Sequence, residues 1–97
     1  MNYKQLLDAQ PKELREAMEE YFTAAILQEN LRDRNIRDNE VYCRWMSGFE
    51  IMWDVHCAIK SDAPSYQALE EFLCNNMYDF RSVSDFVKYM ESCKVPV

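Results

Sequence analysis

The sequence predicts an all-α protein: a single compact domain over residues 1–97, built of four to five helices packed as a bundle or an orthogonal array. Three observations lead there. Apolar residues recur at three- and four-residue spacing in successive segments, which places them on one helical face. One Gly and three Pro leave little turn chemistry for a many-stranded β fold. A hydrophobic share of 48%, with 2 Trp, 6 Tyr and 5 Phe, exceeds what a disordered chain carries. A domain of this size buries roughly 60–70% of its unfolded-chain surface, enough for a small core.

Each element follows in order. A short helix over Asn2 to Asp8 turns Leu6 and Leu7 inward. Gln10-Pro11 opens a second helix, since proline is well tolerated in a first turn. Its residues Leu14, Met18, Tyr21, Phe22 and Ala25 share one face. Glu13, Glu16, Glu19 and Glu20 take the other, three of them early, where the helix dipole favours anions. This helix reaches at least Asn30, and its continuation toward Asn35 is left open because Leu27 and Leu31 lie off the stripe.

Asp38 caps a third helix from Asn39 to about Lys60. Its apolar side chains, from Ile51 through Trp45 to Cys57, span an arc of roughly 240°, against a little over ~100° for an ordinary surface helix. Such a helix needs cover on two or three sides, so it is expected either at the centre of the domain or partly against a partner. The linker Ser61-Asp62-Ala63-Pro64-Ser65 interrupts the pattern. A fourth helix from about Ser65 aligns Tyr66, Leu69, Leu73, Met77 and Phe80. Ser82 with Asp85 resembles a capping box for a fifth helix carrying Val83, Phe86, Val87 and Met90. Val95-Pro96-Val97 is expected to fray.

Charge narrows the function classes. Eleven Lys and Arg against 17 Asp and Glu give −6, which opposes a broad nucleic-acid-binding surface. Residues 31–44 are the exception: Arg32, Arg34, Arg37 and Arg44 outnumber Asp33, Asp38 and Glu40. Their alternating signs fit a solvated, salt-bridged turn, or a contact site for acidic groups. No apolar run approaches the ~20 residues of a membrane span, and Met1-Asn2-Tyr3-Lys4 does not begin a signal peptide. The expected location is the cytoplasm.

Cys43, Cys57, Cys74 and Cys93 form no Cys-x-x-Cys knuckle, so they read as reduced thiols packed mostly as small hydrophobes, with no disulfide, metal or cofactor. The single His, His56, lies within the apolar arc of helix three, and Cys57 points ~100° away from it, which rules out a Cys–His couple within that helix. Glu50 and Asp54 form the solvent face of the same helix. With no phosphate loop, no His-Glu-x-x-His and no Gly-x-Ser-x-Gly, the sequence predicts a protein that is not an enzyme.

Two classes of function remain. One is a protein-binding modulator that docks through aromatic and Arg anchors, the residue types enriched at interface cores. The other is an acidic mimic of nucleic acid, of anti-CRISPR or anti-restriction type; a small helical adaptor is a further variant of the first. The anchors cluster at Arg32, Arg34, Arg37, Tyr42, Arg44 and Trp45, which are therefore the expected partner-binding residues. Ala63-Pro64 is expected in a surface loop, either as a trans proline that merely ends one helix and starts the next or as a bond whose cis or trans state sets the angle between helices three and four.

With Tyr42-Cys43-Arg44-Trp45-Met46-Ser47-Gly48-Phe49-Glu50-Ile51-Met52-Trp53 at its centre, this compact, acidic, cysteine-containing chain resembles the small accessory proteins of temperate phages. Among these it is most similar to the Abc-type anti-RecBCD proteins of lambdoid Salmonella phages. The resemblance rests on size, class and character across the chain. It implies binding to the host helicase–nuclease RecBCD through its RecC subunit, altering nuclease and Chi-dependent behaviour so that phage DNA survives and phage recombination proceeds. It implies no catalytic residues, and it makes recruitment of a host prolyl isomerase at Pro64 a further expectation; from charge and hydropathy, neither direct nucleic-acid binding nor membrane association is expected.

Overall fold

The computed structural model describes residues 1–96. Five helices follow in order: α1 (Tyr3–Asp8), α2 (Lys12–Asp33), α3 (Asn39–Ile59), α4 (Ala63–Asn76) and α5 (Val83–Ser92), with one 3-10 turn over Met77–Asp79 between the last two.

Local chemistry sets the ends. Asn2 accepts from the Gln5 amide at 2.8 Å while the Gln5 side chain accepts from the Asn2 amide at 2.9 Å, a reciprocal cap that fixes so short a helix. At the far end of α2, Asn35 adopts φ 55°, a left-handed conformation that Asn tolerates better than most residues. Asp38 then accepts from Val41 N at 3.1 Å and starts α3. Lys60, at φ 52°, reverses the chain after α3, and Asp62 caps α4 through Ser65 N at 3.0 Å. Ser82 caps α5 through Asp85 N at 3.3 Å.

Helix two runs to Asp33, beyond the Asn30 that the pattern guarantees and short of Asn35. Two sequence expectations need correction here. Pro64 lies inside the first turn of α4 instead of in a loop, and no peptide bond among the described residues is cis. The missing amide of proline costs nothing in a first turn, so the helix starts two residues earlier than its pattern shows. The tail is also tied down as far as Val95, whose amide donates to Met1 O at 2.9 Å while Tyr3 N donates to Cys93 O at 3.1 Å. Asn2 and Lys94 thereby form an isolated antiparallel bridge that staples the two ends; Val97 lies outside the described residues.

Of the two positions open to helix three, the centre of the fold is the one it does not take. That position belongs to α2, which buries Leu14, Met18, Tyr21, Phe22, Ala24, Ala25 and Ile26. Around it close Leu6 and Leu7 of α1, Leu69 and Leu73 of α4, Met77, and Phe86 and Met90 of α5. Phe86 meets Phe22 edge-on at 5.1 Å and Phe80 at 5.2 Å. The Cα trace measures 40 × 30 × 18 Å, and its short axis holds only about two helix layers at ~8–10 Å spacing. A helix in an outer layer therefore keeps an open side, and α3 is such a helix. It rests on α2 and buries only Val41, Gly48 and Met52.

Two fastenings orient α2. At its crossing with α3 the backbones approach so closely that a Cβ on Gly48 would lie 2.5 Å from Tyr21 Cδ1. At its C-terminal end, Arg81 donates to Asp33 at 2.5 Å, and Asn30 Nδ2 donates to Arg81 O at 2.8 Å, joining α2 to the segment before α5.

Candidate docking surface

The open side of α3 carries a stripe. Tyr42, Met46, Phe49 and Trp53 follow one another at spacings of four, three and four, the 3.5-residue repeat that keeps side chains on one seam. They are 46%, 55%, 43% and 48% exposed. Half-exposed side chains of this size leave on the order of 400 Å² of mostly apolar surface, a size at which patches on monomeric proteins are often functional. Cys43 and Cys57 flank the stripe and are exposed as well. The expectation that most cysteines pack as small hydrophobes thus holds for neither of them; only Cys74 and Cys93 are half-buried.

Aromatic neighbours hold the stripe in place from beneath. Phe49 meets Tyr21 edge-on at 6.3 Å, and Trp53 meets Tyr66 at 5.7 Å. His56 stacks on Tyr66 at 4.2 Å with planes 9° apart, and its Nδ1 pairs with Ser61 Oγ. Burial pushes the Tyr66 hydroxyl well above the usual tyrosine range and does the same for Tyr21, whose Oη lies 3.8 Å from Cys74 Sγ.

At its N-terminal end the stripe runs into a cleft of about 480 Å³ between the end of α2 and the start of α3, lined among others by Gln28, Arg32, Ile36, Arg37, Asn39 and Tyr42. Acids surround it, and most are already engaged. Asp33 pairs with Arg81, and that guanidinium holds its carboxyl below the usual range. Asp38 caps α3. Glu29, whose side chain is only 12% exposed, lies 3.7 Å from both Arg32 and Arg81. Arg34 and Arg37 are exposed and form no ion pair among the described residues.

The six residues expected to bind a partner therefore divide. Arg32, Arg37 and Tyr42 line the cleft, and Arg34 caps α2 beside it. Arg44 turns the other way, its Nε donating to Glu20 of α2 at 2.7 Å. Trp45 is half-buried, donates through Nε1 to Tyr78 Oη at 3.2 Å and packs edge-on against that ring. Both serve the packing of α3 on the domain. Met46, Phe49 and Trp53, by contrast, were visible in the sequence only as part of an oversized apolar arc. The 3.5-residue spacing that separates them from the buried residues was present but not decisive without knowing which side α2 covers.

Among the described residues no group of His, Cys, Asp and Glu converges as a metal site, and no helix is long and apolar enough to cross a membrane. The contact between His56 and Ser61 closes the turn after α3, where Ser61 N also donates to His56 O at 3.2 Å. No family model, curated protein or solved structure matches this chain.

Proposed function

We propose that this chain is a non-enzymatic modulator that docks on a larger protein through the stripe and cleft of α3. The observation that carries the reading is the stripe itself: four large side chains, each about half exposed and in heptad register, on a helix whose other side already supplies its share of the core. Exposed aromatic and Met side chains next to Arg match the composition of interface cores. The choice of RecBCD and its RecC subunit as the target, with host-cytoplasmic action that protects phage DNA and favours phage recombination, rests on the resemblance of the sequence alone.

The mimic reading ranks lower for a structural reason. Four carboxylates on the exposed sides of α1 and α2, where a mimic would present its charge, are paired with neighbouring cations: Asp8 with Lys4 at 2.5 Å, Glu16 with Lys12 at 3.8 Å, Glu19 with Arg15 at 3.7 Å and Glu20 with Arg44.

The test is binding of purified RecBCD, and of RecC alone, to the immobilised protein and to its Met46→Glu/Phe49→Ser variant. Both positions are exposed, so the variant should keep the circular dichroism of the parent, with a small fall in melting from the lost edge contact of Phe49 with Tyr21. Its affinity should fall by about tenfold or more, as expected when interface anchors are lost. Equal affinity of the two proteins removes the stripe from the reading. A parent that binds neither preparation removes RecBCD as the target.

A further inference from the structure

We infer that the cleft at the α2–α3 corner is a receptor for an acidic, aliphatic peptide segment, with carboxylates held by Arg32 and Arg37 and an apolar side chain laid against Ile36 and Tyr42. This deepens the docking reading by giving the chemistry of the partner at one end of the stripe. Four observations converge on it. The cleft, at about 480 Å³, falls in the ~300–1,000 Å³ range of small-molecule ligand pockets, room enough for a few side chains. Its cations outweigh the acids within reach: Arg37 has no ionic partner among the described residues, Arg32 is 75% exposed and meets Glu29 only at 3.7 Å, Asp33 is held by Arg81, and the lining acid Asp38 is turned to the cap of α3. Arg guanidinium groups match carboxylates in bidentate geometry. Ile36 and Tyr42, 42% and 46% exposed, supply the apolar floor.

A peptide fits better than a nucleic acid strand. The positive character is confined to this corner of a chain with net charge −6, so a phosphate backbone running past the cleft meets the acidic remainder of the surface. A short acidic segment ends before that happens. Ile36 also gives an aliphatic side chain something to bury against, which a sugar–phosphate backbone lacks.

The experiment needs no natural partner, so its result is independent of whether RecBCD binds. An acetylated, amidated peptide alternating glutamate with leucine is titrated into the isotopically labelled full chain and followed by amide and Tyr ring chemical shifts. Shifts should concentrate on Arg32 to Tyr42 and weaken with added salt, which screens exposed charges. The Arg32→Gln/Arg37→Gln variant should bind about tenfold more weakly, the upper range for losing two exposed pairs, and Arg34→Gln should lose less because Arg34 stands outside the cleft. Four outcomes overturn the proposal: no shifts at millimolar peptide, equal binding of the glutamine analogue, an equal loss in Arg34→Gln, or tighter binding of oligothymidylate than of the peptide. The last would reassign the corner to phosphate. If the peptide binds but the Met46→Glu/Phe49→Ser variant still captures partner normally, the cleft stands and the stripe falls.

Discussion

Helices α2 and α3 have nearly the same length, 22 and 21 residues, and lie against each other, yet they use their apolar residues in opposite ways. In α2 the apolar set matches the core: seven residues are buried, and the opposite face is Glu-rich. In α3 three residues are buried, while Tyr42, Met46, Phe49, Ile51 and Trp53 stand in solvent. Apolar content alone therefore does not locate a core. What locates it is apolar content matched to the surface that neighbouring helices can cover, and the unmatched remainder is where association is favoured. Stability is concentrated on α2, and the surface proposed for recognition lies on α3.

The strongest way to break this division uses one residue type at two sites of one helix. Met52 is fully buried and Met46 is 55% exposed. Met52→Ala should cost about 2–5 kcal/mol in urea unfolding, the range for emptying a packed Met site. Met46→Ala should stay within about 0.5 kcal/mol. Comparable losses at both sites would mean that the stripe is part of the core and that the contrast with α2 is illusory.

Gly48 tests the seam between the two helices. Alanine there gains up to about 1 kcal/mol in helix preference over glycine. Its Cβ, however, would meet the Tyr21 ring at 2.5 Å, and that ring is backed by Phe49 and by the Cys74 thiol. Overpacking typically costs about 1–3 kcal/mol, so Gly48→Ala should destabilise on balance. Tyr21→Leu should relieve the clash, giving non-additive losses in a double-mutant cycle. Additive losses would show that the helices do not depend on this close approach.

The sequence made the five helices and most of the α2 core legible because both are local: helical spacing, Pro11, Asp38 and Ser82 act within a few residues. The Asn2–Gln5 cap was equally local, yet it was not singled out because the first helix has so few periodic residues. Which helix takes the centre was not legible. The wide arc of α3 left the interior and a partner contact both open, and the answer depended on how two layers stack, which no single helix encodes. The cleft was half legible: Arg32, Arg37 and Tyr42 were recognised by type, but Arg44 and Trp45 lie on the same helix start and face α2 and Tyr78. Nor could spacing reveal that the tail pairs with Met1, a contact between residues at opposite ends of the chain.

The C-terminal fastening of α2 sharpens the comparison by pH. The Asp33 carboxyl is lowered by its hydrogen bond and charge contact with Arg81, and Asp62 by its hydrogen bonds from Ser65. A carboxyl lowered in the folded state contributes stability that is complete above its unfolded value of ~3.9 and is lost as pH falls through the lower folded value. Asp33→Asn should therefore flatten the acid limb of the stability curve below that value and leave its shape near neutrality unchanged. Asp62→Asn should do the same more locally, at the start of α4. A limb as steep in Asp33→Asn as in the parent would place the acid sensitivity elsewhere than at the anchor of α2.

The smallest effect is expected at Pro64, where α3 hands over to α4. In the first turn of α4 a proline removes no hydrogen bond and restricts the unfolded chain, so Pro64→Ala should lower stability by only about 0.4–1 kcal/mol. The cap from Asp62 to Ser65 spans the same turn and remains after the substitution, which keeps the direction of α4 relative to the stripe. Amide shifts along Tyr42, Met46, Phe49 and Trp53 should accordingly be unchanged in the variant. Partner binding should respond to an added prolyl isomerase no more in the parent than in Pro64→Ala. An isomerase-dependent gain in the parent alone would reinstate the proline as a control point, because only an exchange about Ala63-Pro64 distinguishes the two proteins on the time scale of tens of seconds. Recognition would then belong to the junction between α3 and α4 as well as to the exposed side of α3.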